Sequence, residues 1–194
     1  MLYLITNRKL VKNKNFFSVI EDAVQGGVNV IILREKDLSY EDLMKYALGI
    51  KKIIRGTKVS LIINSNLEVA KDVEADGYHI GFQRFINEKP SENMLIGVSV
   101  HNLEEAILSE KYGASYIIAS HIYATDCKKG LKPKGVKFIE DIKEKINIPV
   151  IALGGIKPEN IKEVLDNGAD GAAVMSYIMA ADNPYKAAVK LKKY

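Results

Sequence analysis

Short β-branched apolar runs recur along this chain with helix-like segments between them, and that alternation restricts it to parallel α/β architectures. Strands are expected near Leu2–Thr6, Val28–Leu33, Val59–Ile63, Gly77–Ile80, Leu95–Val100, Tyr116–Ala119, Val150–Leu153 and Gly171–Val174. Several are apolar on consecutive residues, the pattern of parallel strands covered on both faces. Ser39 followed by Glu41 and Asp42 reads as a helix start, because the hydroxyl accepts a free N–H while the acids sit at the positive helix end. Asn102 with Glu105 reads the same way, and Pro158 and Pro184 suit first helical turns, where a missing N–H costs nothing. Strands and helices alternating in this number fit a closed (β/α)₈ TIM barrel, and they are too many for a flavodoxin-like open sheet. The helical pattern over Phe82–Asn93 is weak, so a trimmed fourth helix is expected. No Gly/Ser linker divides the 194 residues, so residues 1–194 are expected to form a single domain.

A net charge of +4 suits an anionic small molecule and is too weak and scattered for nucleic acid. One cysteine, Cys127, cannot form an internal disulfide, which fits a reducing cytoplasm. No apolar run approaches the length of a membrane span. The opening run Leu2–Ile5 is short for a signal peptide, and Arg8 and Lys9 follow it instead of preceding it. The expectation is a cytoplasmic protein with no nucleic-acid or membrane partner. The sequence leaves the oligomeric state open, a homo-oligomer included.

In a barrel the site gathers on the loops that follow the strands. Candidates there are Asn7 and Arg8, Arg34 to Asp37, Asn64 to Asn66, His79, Ser99 and His101, Ser120 and His121, Gly154 and Gly155, and Met175 and Ser176. Glycines admit sharp turns and close ligand approach, and N–H groups at a helix start attract anions. Gly154 and Gly155 after the seventh strand, with Met175 and Ser176 after the eighth, are therefore candidate phosphate contacts; a plain tight turn is the alternative for the glycines. All three histidines fall near strand ends. His79 reads as a hydrogen-bonded rim residue and His101 as a neighbour of the Asn102 cap. His121 opens a long loop, Ile122 to Lys134, where it is placed for proton transfer. Cys127 reads as an ordinary loop cysteine, and Lys128 and Lys129 as either a solvated pair or a closing anion contact. No His/Cys ligand spacing and no opposed carboxylates mark a metal site, so neither metal nor cofactor is expected.

Four stretches, Leu33–Asp37, Asp76–Gly81, Gly97–His101 and Ala152–Ile156, resemble the thiamine phosphate synthase superfamily. The run Ser120–Gly130, with Val174–Ser176 and Asn183–Pro184, resembles that superfamily's thiazole tautomerase (TenI-like) branch. Synthases typically carry proline at the place of His121. They usually carry an aspartate, which helps hold magnesium and pyrophosphate, at the place of Ser65, and a second acid at the place of Arg84. Ile32 replaces a family glutamine, whereas Arg34–Asp37 is nearer the synthase form. The resemblance implies an isomerase that aromatises a carboxylated thiazole phosphate by a 1,3-proton shift. His121 would be its acid/base and His101 its second proton-transfer group. Arg34, Lys36, Ser99, Thr125, Lys128, Gly154, Gly155, Met175 and Ser176 would hold the phosphorylated thiazole. The alternatives are a thiamine phosphate synthase and a regulatory barrel that binds thiamine-related phosphates. Fold alone does not separate these readings.

Overall fold

The structure, a computed structural model, describes residues 1–88, 90, 93–125, 130 and 132–194. Eight parallel strands follow one another in order around a closed barrel. They are β1 (Leu2–Ile5), β2 (Val30–Leu33), β3 (Ser60–Asn64), β4 (Gly77–Gly81), β5 (Leu95–Val100), β6 (Tyr116–Ser120), β7 (Val150–Leu153) and β8 (Gly171–Val174). The helices are α1 (Phe16–Gln25), α2 (Tyr40–Ile54), α3 (Leu67–Asp72), α4 (Phe82–Glu88), α5 (Leu103–Lys111), α6 (Lys137–Lys143), α7 (Ile161–Asp166), α8 (Ser176–Met179) and α9 (Pro184–Lys192). By its internal packing the chain divides into two compact units, Met1–Tyr78 with Val174–Tyr194, and His79–Ala173.

In the first unit β1 and β2 are buried at every residue, as strands with both faces covered must be. Register runs in step, with Tyr3 opposite Val30 and Val30 opposite Ser60. Helix α2 begins where its sequence signal places it, the Ser39 side chain accepting from the Asp42 amide. Helices α1 and α9 pack closely enough that a Cβ on Gly26 would lie 2.6 Å from the Ala188 Cβ. Pro184 occupies the first turn of α9, behind an Asn183 cap.

In the second unit β5, β6 and β7 pair in parallel, with Gly97 opposite Tyr116 and Ile117 opposite Val150. Asn102 caps α5 by accepting from the Glu105 amide. The fourth helix is present and short, ending at Glu88. Pro158 departs from expectation: it lies in a turn, and α7 starts later, at Ile161. Asn160 explains the delay. Its side-chain oxygen accepts from the Lys157 amide and its amide group donates to the Gly155 carbonyl, so residues 155–160 form a separate turn before the helix. Among the described residues no helix is long and apolar enough to cross a membrane.

Candidate active site

The first unit carries the loop after β2. Its base is fixed by Thr6 at the end of β1, whose hydroxyl accepts from the Arg34 amide at 3.0 Å and donates to Glu35 Oε1 at 2.8 Å. Glu35 is only 6% exposed, so its carboxylate needs partners. The Arg8 amide donates to both its oxygens, at 2.9 and 3.1 Å, and Arg8 Nη1 to Oε2 at 3.1 Å. The same guanidinium grips Asp37 with two prongs, Nη1 to Oδ1 at 2.6 Å and Nη2 to Oδ2 at 2.9 Å. Lys9 Nζ adds a contact to Asp37 at 2.8 Å. Hydrogen bonds from Arg8 hold the Asp37 carboxyl well below the usual carboxylate range, and Asp37 in turn raises the Arg8 guanidinium. Arg34 is half-buried and Lys36 exposed, and neither side chain has an ion-pair partner among the described residues. Met175 is half-buried and Ser176 exposed at the start of the short helix α8.

The second unit holds a buried polar group in front of β5. His79, 3% exposed, lies with Nε2 2.7 Å from the Ser99 hydroxyl and Nδ1 3.1 Å from the Tyr116 hydroxyl. Gly97 makes room for it, since a Cβ there would fall 2.5 Å from His79 Nδ1 and 2.1 Å from the Tyr116 ring. The sequence suggests a hydrogen-bonded rim residue at His79; it is hydrogen-bonded, and it is buried. The His-x-Gly pattern marks it, but its two partners come from other strands and carry no local signal. His101 stands apart: its amide donates to Glu105 Oε2 at 2.6 Å, and its half-exposed ring lies 3.5 Å from the same carboxylate.

His121 is buried, 4% exposed, after a cis Ser120–His121 peptide. The Ile122 and Tyr123 amides continue the β6–β7 ladder by donating to the Leu153 and Gly154 carbonyls. The long loop closes at its base, where the Lys134 amide donates to the His121 carbonyl and the Gly135 amide to that of Ile122. Tyr123 ties the loop to α7 through a 2.7 Å bond to Glu163; burial first, then this bond, pushes its phenol up. Gly154 and Gly155 have φ of +109° and +66°. A Cβ on Gly154 would lie 2.4 Å from the His121 Cβ, and one on Gly155 2.5 Å from the Ala124 carbonyl oxygen. Both glycines are therefore required by the approach of the β6 loop, whatever else they bind. Thr125 is half-buried in that loop. Lys128, with Cys127, Asp126 and Lys129, lies outside the described residues.

The family model described as thiamine monophosphate synthase matches residues 2–178. A thiamine-phosphate synthase of Clostridium acetobutylicum is 39% identical over 184 residues, covering 93% of this chain and 87% of that protein. One from Clostridium botulinum is 35% identical over 196 residues, covering 99% and 92%. The solved thiamine phosphate pyrophosphorylase of Pyrococcus furiosus superposes with a TM-score of 0.87 at 33% identity, over 99% of this chain and 93% of that one. These relatives overturn the expectation of a thiazole tautomerase, and with it that of an isomerase. That expectation leaned on short stretches, Ser120–Gly130 with Val174–Ser176 and Asn183–Pro184, and on departures at Ser65, Arg84 and Ile32; Asp126–Lys129 lie outside the described residues, whereas the likeness to synthases runs along the whole chain. A histidine at a strand end does not fix a reaction, because the same side chain serves proton transfer, binding or packing. The chain belongs to the thiamine monophosphate synthase family.

Proposed function

We propose that the protein is a thiamine-phosphate synthase, a transferase acting on small phosphorylated substrates. The observation that carries this reading is the 39% identity to a synthase across 93% of the chain. In the reaction the thiazole ring nitrogen forms a bond to the pyrimidine methylene carbon. The bond from that carbon to pyrophosphate breaks, and its electron pair leaves on the pyrophosphate oxygen. No proton is consumed or released in this exchange, so the acid/base roles given to His121 and His101 have no place in it. What the protein must supply is alignment of the two substrates and positive charge where the leaving group gathers negative charge. Arg34 and Lys36 suit that charge. Ser99, held by His79, and Thr125 suit hydrogen bonding to substrate, and the N–H groups near Gly154, Gly155, Met175 and Ser176 suit phosphate. Lys128 belongs to the same proposal on its sequence position, as does a cytoplasmic location on the single cysteine.

The magnesium implied by the synthase resemblance finds poor ligands at the two positions where acids are usual. Ser65 is neutral, with φ of +63°, and accepts a 2.7 Å bond from Asn64. Arg84 is cationic and donates to Glu88 at 2.7 Å. The described residues contain no group of three or more His, Cys, Asp or Glu side chains placed to hold a metal. These residues do not fit the ion, and no step is assigned to it.

Purified protein mixed with the pyrimidine pyrophosphate and the thiazole phosphate is expected to release equal amounts of thiamine phosphate and pyrophosphate. Omitting either substrate should abolish both products. Absence of thiamine phosphate at enzyme concentrations sufficient for many turnovers would sink the reading.

A further inference from the structure

The loop after β2 alternates in charge, Arg34-Glu35-Lys36-Asp37. Both acids are engaged, Glu35 by Thr6 and Arg8 and Asp37 by Arg8 and Lys9. Both cations lack an ion-pair partner among the described residues. An acid adjacent in sequence is a ready counter-ion for a flexible cation, so a released Asp37 would compete with any anionic ligand for Lys36 and Arg34. We infer that Arg8 is a positioning residue that sequesters Glu35 and Asp37, leaving Arg34 and Lys36 available to a pyrophosphate group. This rests on the synthase reading only for the identity of the anion.

Arginine suits the task. Its planar fork reaches both Asp37 oxygens while Nη1 also touches Glu35, three contacts that an ammonium cannot make in one plane. These three Nη contacts hold the guanidinium on the loop, and the role inferred for Arg8 is exerted through Arg34 and Lys36. Glu35 keeps the Thr6 hydroxyl and the Arg8 amide when the guanidinium is removed. Asp37 keeps its own amide and Lys9, a largely exposed lysine, but no buried partner. Asp37 is therefore the acid that loss of the guanidinium sets loose.

The test is calorimetric titration of the full chain with inorganic pyrophosphate. Arg8→Gln should weaken binding about tenfold, the scale of one charge-assisted hydrogen bond lost or captured. Arg8→Lys, which keeps the charge without the fork, should fall between that variant and the parent, and it carries the test if Arg8→Gln fails to fold in thermal denaturation. The double variant Arg8→Gln/Asp37→Asn should recover most of the loss, because the competing carboxylate is gone. A purely structural Arg8 gives no such recovery. Parent-like affinity in a folded Arg8→Gln or Arg8→Lys, no recovery in the double variant, or no pyrophosphate binding by the parent would each overturn the inference. A parent that binds pyrophosphate as described yet forms no thiamine phosphate would sink the synthase reading and leave the role of Arg8 standing.

Discussion

His79 illustrates how one buried polar side chain constrains its surroundings. A fully enclosed imidazole has to satisfy both ring nitrogens, and here Ser99 and Tyr116 do so from two different strands. The ring can fit only because position 97 has no side chain. Gly97→Ala would place a methyl group within 2.5 Å of His79 Nδ1 and nearer still to the Tyr116 ring. One or both must move, at roughly 1–3 kcal/mol for overpacking a core site. The displaced imidazole would also lose its 2.7 Å contact with Ser99. We therefore expect Gly97→Ala to lower the thermal unfolding midpoint and to reduce thiamine phosphate formation, with the loss of turnover exceeding what the unfolded fraction accounts for. Stability and turnover both equal to the parent's would show that the packing at Gly97 is looser than described.

At the scale of elements, the strands were the most legible part of the sequence. The runs at Leu95–Val100, Val150–Leu153 and Gly171–Val174 have the boundaries expected of them; the last two are apolar on consecutive residues, as a doubly covered parallel strand tends to be. The caps at Ser39 and Asn102 were legible for a similar reason, a local side-chain-to-amide bond written within four residues. Pro158 misled because its fixed φ fits a turn as readily as a helix start, and Asn160 decided between them through bonds at both sides. The glycines after β7 were legible as a turn with freedom to approach a ligand, but what approaches them is the β6 loop, a neighbour set by register and not by sequence distance. Gly154→Ala tests that arrangement. The left-handed backbone and the 2.4 Å approach to His121 together should cost roughly 2 kcal/mol or more, seen as a lower urea unfolding midpoint. An unchanged midpoint would mean that the two loops can separate freely, contrary to their close packing.

At the scale of the whole molecule, the barrel was readable because it follows from the periodicity of the entire chain, whereas the reaction was misjudged from a few scattered residues. His121 and Ser65 argued for a tautomerase singly; identity distributed over 93% of the chain with a synthase weighs more than either. Charge is also a whole-molecule property, and its consequences for stability can be derived from the groups whose proton affinity folding changes. Three acids are held low: Asp37 by its bonds from Arg8, Glu41 by its own amide and then Ser39, and Asp42 by Lys45. An acid whose folded value is depressed contributes stability that is complete above its unfolded value, near 4 for a carboxyl, and that is lost as the pH falls through the folded value. Besides the Arg8 guanidinium, raised by Asp37, three groups are held high: Tyr40, pushed up to about 12 by its hydrogen bond to Asp72, Tyr123, by burial and Glu163, and Lys137, by Asp141 and Glu140. Their contribution is complete below the unfolded values, about 10 for both residue types, and is lost as the pH rises toward the folded ones. The urea midpoint should therefore be level from about pH 5 to 9 as far as these groups govern it, and fall on either side. The three acids are solvent-exposed, so added salt should shrink their share of the acid limb through screening. Asp37→Asn separates its share from the rest: relative to the parent, its midpoint deficit should be present at pH 7 and should narrow as the pH drops below 4. A deficit that stays constant from pH 7 to pH 2 would show that the grip of Arg8 on Asp37 does not distinguish the charged carboxylate from the neutral acid.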